Sequence, residues 1–325
     1  MRVLVAGASG YIGRHVVAEL VRRGHQVVAL LRRAPDANLA SFLDGARPCL
    51  TPTLNDAALA ASAGRIGSVD AVVSCIAASS GRPAEAWAVD HDMNQALLRL
   101  ATRLGARHFQ LLSALCVQRP VLAFQRAKHA FEQALADASI DHSIIRPTAF
   151  FKSLAGQIER IRHNKPFLLF GQGPGPSCIP ISEADLAGFM ADVLADDRRW
   201  NRTLATGGPG PAVTPQERGE MLFALAGKPS RFRRIPLSLV RSVGWGLAGA
   251  GRVSRRAADG AEFARIAYFY ATEPMLVADP NSGQPSAAAT PRCGRDTLAE
   301  FYARTWRKGL DGQRLGDAAL FERRS

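Results

Sequence analysis

The sequence has few of the features that mark metal-binding, secreted or membrane-spanning proteins. Its five cysteines form no C-x-x-C pair and its histidines show no ligand spacing, whereas zinc and iron–sulfur sites use clustered ligands. No uncharged apolar run reaches the roughly 18–20 residues of a transmembrane helix. The apolar run after Met1 and Arg2 is also too short for a signal peptide. We therefore expect a cytoplasmic protein with reduced thiols and no bound metal.

The sequence also lacks the concentrated basic stripe of a nucleic-acid-binding module, although its net charge is +13. The arginines lie in short, scattered doublets such as Arg22-Arg23 and Arg233-Arg234, and no helix or aromatic-rich stretch collects them. We expect no nucleic-acid partner and no obligate protein partner. A solvated arginine-rich surface explains most of the charge, and a weak, reversible attraction to an anionic membrane surface is the alternative.

Short apolar runs alternate with helical patterns in the first half of the chain, which is typical of a parallel α/β sheet. Helices are predicted at residues 55–64, 84–104 and 121–138. Strands are predicted at Val3–Ala6, Gln26–Leu31, Ala71–Ile76, Phe109–Leu112 and Ser143–Ile145. This order predicts a doubly wound parallel sheet of the Rossmann type over residues 1–150.

Glycine and proline become frequent after about residue 150, and residues 151–325 are predicted to form a smaller substrate-binding lobe with some elements that complete the core. Ser182 is predicted to cap one helix and Thr214-Pro215 to open another. Residues 236–251 are apolar, contain glycines and form a candidate substrate lid, whereas residues 279–291 have the composition of a polar loop.

The strongest local motif is G-x-x-G-x-x-G, between the first strand and an amphipathic helix. Its first glycine permits a tight turn, the second lets the backbone approach a pyrophosphate, and the third allows close packing of helix on strand. The spacing differs from G-x-G-x-x-G, but its context favours a dinucleotide-binding loop over a merely tight turn. The residues expected to contact the cofactor here are Gly7, Ser9, Gly10, Tyr11, Ile12 and Gly13.

The end of the second strand indicates which dinucleotide binds. NAD-binding folds usually have an acidic residue about 20 positions after the glycines, but here Arg32 and Arg33 follow the strand and no carboxylate precedes Asp36. Arginine can hold a 2′-phosphate through bidentate hydrogen bonds. The sequence therefore predicts NADPH, held by Arg32 or Arg33, the other being a solvated surface residue.

The glycine spacing resembles that of the extended and atypical short-chain dehydrogenase/reductases, which carry a serine after a strand and Tyr-x-x-x-Lys on the next helix. Ser113 and Lys128 match this pattern, but Phe124 stands where the tyrosine is expected. Phenylalanine donates no proton, so the usual carbonyl relay is absent. Other residues expected to line the cofactor follow two strands, namely Cys75, Ile76 and Ala77 on the adenosine side and Pro147 and Thr148 near the nicotinamide.

Several longer segments resemble the divinyl (proto)chlorophyllide 8-vinyl reductases, in the same order over nearly the whole chain. They are residues 124–128, 145–153, 180–186, 207–210, 261–265, 268–276 and 294–298. This resemblance implies NADPH-dependent reduction of the C8 vinyl group of a tetrapyrrole to ethyl in chlorophyll or bacteriochlorophyll biosynthesis. Reduction of a carbon–carbon double bond needs no carbonyl relay, which fits Phe124.

The resemblance also implies roles for individual side chains. Lys128 is expected to be the catalytic residue, bound to the nicotinamide ribose and adding positive charge near a developing anion, or else a surface lysine. Ser113 is expected to bind the carboxamide or the lysine, or simply to end its strand. Residues expected to contact the macrocycle, or to be ordinary core, are Phe124, Phe150 and Phe151; Tyr268 is a candidate proton donor.

Two other interpretations stay open on the sequence alone. The chain could be an atypical reductase of the isoflavone-reductase type that acts on another conjugated alkene. It could also be a non-catalytic NADPH-binding protein that serves as a sensor or assembly factor, because Phe124 is compatible with both alternatives.

Overall fold

The computed structural model describes residues 1–250 and 254–309 of the 325-residue chain. The strands are β1 (Arg2–Ala6), β2 (Gln26–Leu31), β3 (Arg47–Leu50), β4 (Ala71–Ser74), β5 (His108–Leu112), β6 (Asp141–Pro147), β7 (Phe167–Phe170), β8 (Arg202–Thr206) and β9 (Phe232–Ile235). The helices are α1 (Tyr11–Arg22), α2 (Ala37–Phe42), α3 (Asp56–Ile66), α4 (Pro83–Ala86), α5 (Asn94–Arg103), α6 (Ala123–Ala136), α7 (Ile158–Arg162), α8 (Glu183–Ala195), α9 (Pro215–Leu225), α10 (Leu237–Ala250), α11 (Arg255–Thr272) and α12 (Leu298–Lys308). A π-helical segment, Trp87–Met93, joins α4 to α5.

Seven strands form one sheet in the order β3-β2-β1-β4-β5-β6-β8, and β7 pairs in parallel with β9 in a second sheet. The pairs from β3 through to β6 are parallel. The chain runs outward from β1 to β3 and then returns to place β4 on the other side of β1. Such a reversal is the switch point where open α/β sheets bind ligands. The doubly wound Rossmann fold expected from the sequence is thus confirmed.

The central strands are buried over almost their whole length, and every residue of β4 and β5 is buried. Parallel strands covered by helices on both faces form continuous apolar runs, which is why the sequence shows no alternation here. Helix α1 instead buries one stripe, with Ile12, Val16 and Leu20 four residues apart. The turn between β1 and α1 is therefore held between two well-packed elements.

The described residues form two compact units. The first contains Met1–Ala78, Ala84–Pro147 and Glu183–Ala205, and the second contains Ser79–Pro83, Thr148–Ser182 and the described residues from Thr206 onward. The second segment of the first unit ends at Pro147. The third segment adds α8 and most of β8, which come from the later part of the chain. The second unit has its own core, which includes Phe151, Phe223 and Tyr302.

Helix α6 presents charged side chains to the interior, and each is paired. The side chain of Glu132 is 4 % exposed and pairs with Arg146 on β6 through two contacts, one of them 3.1 Å between Nε and Oε1. Lys128, one turn earlier on the helix, pairs with Asp90. Because a buried charge is destabilising without a partner, these pairs fix how α6 lies against the sheet.

The structure agrees with the predicted strand Gln26–Leu31 residue for residue, and Thr214 caps α9 by accepting a hydrogen bond from Glu217 N. The predicted strand Ala71–Ile76 was wrong at its end, because β4 stops at Ser74. The helix predicted over 84–104 is helical but contains the π segment. Strand β3 was missed because it contains Pro48 and buries only Cys49, so it has the character of an edge strand.

The apolar segment 236–251 forms α10 as far as Ala250, and Gly251 lies outside the described residues. Residues 279–291 contain no helix or strand, as predicted for a polar loop. Over residues 1–250 and 254–309, the structure contains no helix with both the length and the apolar character needed to cross a bilayer.

We predict that Glu132→Gln lowers the free energy of unfolding by about 3 kcal/mol, because it leaves the Arg146 guanidinium without its buried counter-charge. The measurement is urea denaturation followed by circular dichroism. Asp56→Asn is the matched control, since the Asp56–Arg99 pair is exposed on both sides and solvent screens it. Equal midpoints for the two variants would contradict the structural role given to Glu132.

Candidate functional site

The predicted cofactor residues of the first unit lie where parallel strands end. Gly7 follows β1, Arg32 follows β2, Cys75 follows β4 and Ser113 follows β5, while Pro147 is the last residue of β6. Because these strands are neighbours and parallel, the residues share the carboxyl edge of one sheet. This edge is the candidate functional site.

The glycine loop is built by contacts between backbone atoms that leave no room for side chains. Gly7 has a φ of 75°, and a Cβ there would lie 2.6 Å from the backbone carbonyl of Cys75. A Cβ on Gly13 would lie 2.1 Å from Gly7 O. Gly10 N donates to Gly7 O at 2.9 Å, which closes the turn. A side chain at Gly13 would push α1 away from the end of β1, and one at Gly7 would clash with the backbone that follows β4, so the loop requires glycine at both positions.

Helix α1 begins at this loop without a side-chain cap from its N-cap residue. Gly10 is its N-cap residue, and the first turn contains no acidic residue. The first N–H groups of a helix without a cap, together with the helix dipole, favour a bound anion such as a pyrophosphate.

The side chains that flank the glycines have separate surroundings. Ser9 is exposed and Ile12 is buried in the core. The phenol of Tyr11 donates to Glu183 Oε2 at 2.6 Å, which ties the start of α1 to the first turn of α8. Tyr11 therefore helps to hold the loop in place.

Arg32 and Arg33 are both exposed immediately after β2. The next carboxylate, Asp36, is engaged as the N-cap of α2 and accepts from Leu39 N at 2.8 Å. The position where an NAD-binding fold would hold a ribose with a carboxylate thus carries two guanidinium groups instead. This arrangement suits a phosphate at that place.

Lys128 is the most constrained charged group at the site. Its ammonium lies 2.9 Å from Asp90 Oδ1, and the side chains are 11 % and 1 % exposed. Asp90 Oδ1 also accepts from Ala78 N at 3.2 Å. Asn94 donates to the backbone carbonyl of Asp90 at 3.1 Å and accepts from Ser74 Oγ at 2.5 Å. A polar network therefore connects the end of β4 with the lysine.

Sequence reasoning missed Asp90, although a signal was present. Asp90 and Asn94 are four residues apart on the inward stripe of a helix that otherwise buries Ala86, Leu97 and Ala101. Polar residues at buried positions of such a stripe need partners. The π-helical turn around Asp90 is itself a feature that is frequent at functional sites.

Ser113 and Cys75 follow two neighbouring strands of the sheet, β5 and β4. Ser113 is 5 % exposed, its backbone N–H donates to Ile145 O at 2.7 Å, and its hydroxyl has no partner in the structure. Loss of solvation raises the pKa of the Cys75 thiol to about 12, with the Lys128 ammonium acting in the opposite direction. Cys75 is therefore a neutral thiol, whereas Ser113 has a hydroxyl free to bind a ligand.

The other predicted cofactor residues differ in accessibility. Ile76 is buried, Ala77 is exposed and Pro147 is buried. Thr148 belongs to the second unit, where its N–H donates to Thr206 O at 3.0 Å and its hydroxyl donates to Ile179 O. The hydroxyl proton of Thr148 is thus already used within the protein.

The aromatic residues expected to contact a substrate do not share one environment. Phe124 is half-buried, one helical turn before Lys128 in the first unit, while Phe150 and Tyr268 are half-buried in the second. Phe151 is 1 % exposed and packs on Phe301 with ring centroids 5.5 Å apart. The expectation that Phe151 offers a wall to a macrocycle is therefore not supported, because its ring is covered by core residues.

The donors at this edge fit a dinucleotide. The glycine loop forms a cradle that a Cβ would fill, and the Ser113 hydroxyl and the Lys128 ammonium supply buried polar atoms further along the sheet. Where the structure describes the chain, no cluster of three or more His, Cys, Asp or Glu side chains is arranged to hold a metal ion.

Comparison with known proteins gives the same cofactor class. A family of NAD(P)H-binding domains matches residues 7–197, so a nicotinamide dinucleotide is the cofactor. An NADPH-dependent quinone oxidoreductase from Escherichia coli, solved with NADPH, shares the fold with a TM-score of 0.66 and 18 % identity, over 94 % of this chain and 99 % of that one.

Two plant proteins resemble the chain over almost its whole length. Each bears the name divinyl chlorophyllide a 8-vinyl-reductase, chloroplastic. The protein from Oryza sativa subsp. indica is 45 % identical and that from Zea mays 44 %, in both cases over 98 % of this chain and 82 % of theirs. The chain thus belongs to the NAD(P)H-binding family and, within it, to the family of the divinyl chlorophyllide a 8-vinyl-reductases.

Proposed function

We propose that this protein uses NADPH to reduce the C8 vinyl group of divinyl chlorophyllide or protochlorophyllide to an ethyl group in chlorophyll or bacteriochlorophyll biosynthesis. The observation that carries the proposal is a buried lysine at the cofactor edge with phenylalanine one turn earlier, where a carbonyl reductase would need tyrosine. The names of the plant relatives agree with this chemistry.

The reaction adds a hydride and a proton across a carbon–carbon double bond. When bound, NADPH supplies the hydride, which the terminal carbon of the vinyl group receives. The resulting negative charge is delocalised into the macrocycle, and a proton from water or a nearby donor completes the ethyl group. The chain then has to orient the substrate, exclude water and stabilise charge, since no alkoxide has to be protonated.

Lys128 is the proposed catalytic residue. Its ammonium binds the ribose next to the nicotinamide and places a positive charge near the developing anion. Asp90 is the proposed positioning residue, because it holds this ammonium at 2.9 Å and is itself almost fully buried. The hydroxyl of Ser113, which has no hydrogen-bond partner among the described residues, is proposed to bind the carboxamide.

The remaining cofactor contacts follow from the sheet edge. The loop Gly7–Gly13 is proposed to cradle the pyrophosphate, and Arg32 or Arg33 to bind the 2′-phosphate. The adenosine side is proposed to lie along residues 75–77. The nicotinamide is proposed to lie near Pro147, with Thr148 contributing its backbone or hydroxyl oxygen.

The substrate contacts are proposed on accessible apolar side chains. Phe124 and Phe150 are each half-buried, and each is proposed to contact the macrocycle. Tyr268 is proposed as a phenol close to the reacting substrate. We also propose that residues 1–150 bind NADPH and that residues 151–325 supply most of the substrate-binding lobe.

The proposal places the protein in the cytoplasm, with a tetrapyrrole as its partner and a weak, reversible attraction to an anionic, pigment-bearing membrane. The net charge of +13 supports that attraction.

A reductase of the isoflavone-reductase type and a non-catalytic NADPH-binding protein are the alternative functions. The Lys128–Asp90 pair favours an enzyme, because a protein that only binds NADPH has less need of a buried ammonium at this edge.

The test of the proposal is anaerobic incubation of the purified full-length chain with NADPH and divinyl chlorophyllide a. We expect a blue shift of the Soret band and a gain of two hydrogens by mass spectrometry, with NADPH and not with NADH. NADPH binding without conversion of the pigment would overturn the substrate assignment and leave the two alternatives.

Replacing Arg32 or Arg33 by serine should identify the 2′-phosphate ligand. Loss of a bidentate guanidinium contact is expected to weaken NADPH binding by roughly tenfold or more and to leave NADH binding unchanged. Isothermal titration with both dinucleotides measures this difference, and Arg22→Ser, on the exposed end of α1, is the control. Equal weakening of NADPH and NADH binding would argue against a 2′-phosphate contact.

Lys128→Met is expected to lower kcat by about 100-fold or more. It should also destabilise the fold, because Asp90 then carries a buried charge without a partner. Asp90→Asn should lower kcat less. In the double variant both charges are absent, so the urea midpoint should recover while kcat stays at the level of Lys128→Met.

Arg126→Met, an exposed substitution on the same helix, is the control for these kinetics. Near-normal turnover of Lys128→Met would rule out the catalytic role. Additive losses of kcat in the double variant would show that Asp90 does not act through Lys128.

A further inference from the structure

Residues 221–258 carry eight basic residues and not one acidic residue. This segment spans the end of α9, β9, all of α10 and the start of α11. The chain as a whole mixes 41 basic with 28 acidic residues, so a stretch of this length without a carboxylate is a local concentration of positive charge. Seven of the eight lie in the described residues, and they are Lys228, Arg231, Arg233, Arg234, Arg241, Arg255 and Arg256.

Helix α10, inside this basic segment, exposes large apolar side chains. Leu239, Val243 and Trp245 are 57 %, 51 % and 71 % exposed, and Arg241 is the single charged residue of the helix. A helix on the surface of a globular protein normally turns polar residues to solvent. Several exposed large apolar side chains on one helix mark a candidate interaction surface.

The opposite side of α10 is already used in packing. A Cβ on Gly244 would lie 3.4 Å from the Cβ of Ala264, and one on Gly260 would lie 3.3 Å from Leu247 Cδ1. The two helices thus pack with Gly244 against Ala264 and Leu247 against Gly260. Leu239, Val243 and Trp245 are left on the sides of α10 that α11 does not cover.

Arg241 and Trp245 form a pair suited to a boundary between water and hydrocarbon. The guanidinium carbon of Arg241 lies 5.4 Å from the centroid of the indole ring. Tryptophan is enriched at membrane interfaces because one part of it is apolar and its N–H needs a polar partner. Arginine beside it keeps its charge at the level of the lipid headgroups.

We propose that α10 is a membrane-docking helix that lies in the headgroup region of an anionic bilayer. Leu239 and Trp245, which flank the side of the helix turned away from α11, insert below the headgroups, and the basic residues of the segment bind the lipid phosphates. The helix is about 21 Å long at 1.5 Å per residue, so it lies along the surface. This inference rests on the proposed attraction to an anionic membrane and is independent of the reductase chemistry.

Charge complementarity favours a lipid surface over a second copy of this chain. In a two-fold symmetric dimer the same surface would face itself, and the seven described basic residues of each copy would meet without a carboxylate from this segment. An anionic bilayer offers the opposite charge together with an apolar layer a few ångströms deeper.

The test is co-sedimentation of the full-length chain with vesicles of phosphatidylglycerol or of phosphatidylcholine, without NADPH or pigment. We expect binding to phosphatidylglycerol that weakens as salt increases. Trp245→Ser and the pair Arg255→Glu with Arg256→Glu should each reduce the partition coefficient by about tenfold or more. Trp245 fluorescence should be quenched by brominated phosphatidylglycerol, with Trp245→Phe as the blank.

The controls carry the same chemical changes on the first unit. They are Trp87→Ser, a tryptophan 43 % exposed, and the pair Arg103→Glu with Arg107→Glu, both exposed. Equal losses in the test and control variants would show that net charge alone drives binding and would overturn the assignment to α10.

Two further results would show that α10 contacts something other than a membrane. Loss of a dimer in the Trp245→Ser variant, measured by light scattering, would assign the surface to a second copy. A loss of kcat/KM toward detergent-solubilised pigment, with vesicle binding unchanged, would make α10 a cover for the substrate. If α10 docks on the membrane, the docking variants turn over solubilised pigment at the wild-type level. The membrane inference and the proposed reductase activity are therefore tested independently of each other.

Discussion

The close approach of Gly13 to the carbonyl oxygen of Gly7 is the contact on which the rest of the site depends. It sets how near α1 begins to the end of β1, and Gly7 in turn lies directly against the backbone of Cys75 after β4. Three chain segments therefore meet through backbone atoms at the switch point of the sheet. The N-terminus of α1, whose N-cap residue is a glycine, lies at this meeting point, and a helix N-terminus favours an anionic cofactor.

A second constraint is the burial of charge on α6. Lys128 and Glu132 both face inward, and each would be strongly destabilising without Asp90 and Arg146 respectively. An apolar helix face would have served stability as well. A role of the lysine in binding a ligand explains why an ammonium is buried here. The π-helical turn places Asp90 where it can pair with that ammonium.

Helix α10 combines apolar exposure with charge of one sign. It exposes leucine, valine and tryptophan within a segment whose charged residues are all basic. Lipid phosphates attract basic residues, and the apolar layer beneath the headgroups accommodates apolar side chains. Charge and hydrophobicity thus act together on one helix.

Much of the fold and of the cofactor site follows from local sequence patterns. The glycine motif, the apolar strands, the arginines after Leu31 and the lysine four residues after Phe124 all lie within short segments, and periodicity or spacing reveals them. Only the tertiary structure decided the partner of Lys128, because Asp90 is 38 positions away and is buried by the packing of one helix on another. Likewise, the sequence does not distinguish a phenylalanine in the core from one that lines a binding site. Only the burial seen in the structure separates Phe151, which is a core residue, from the half-buried Phe124 and Phe150.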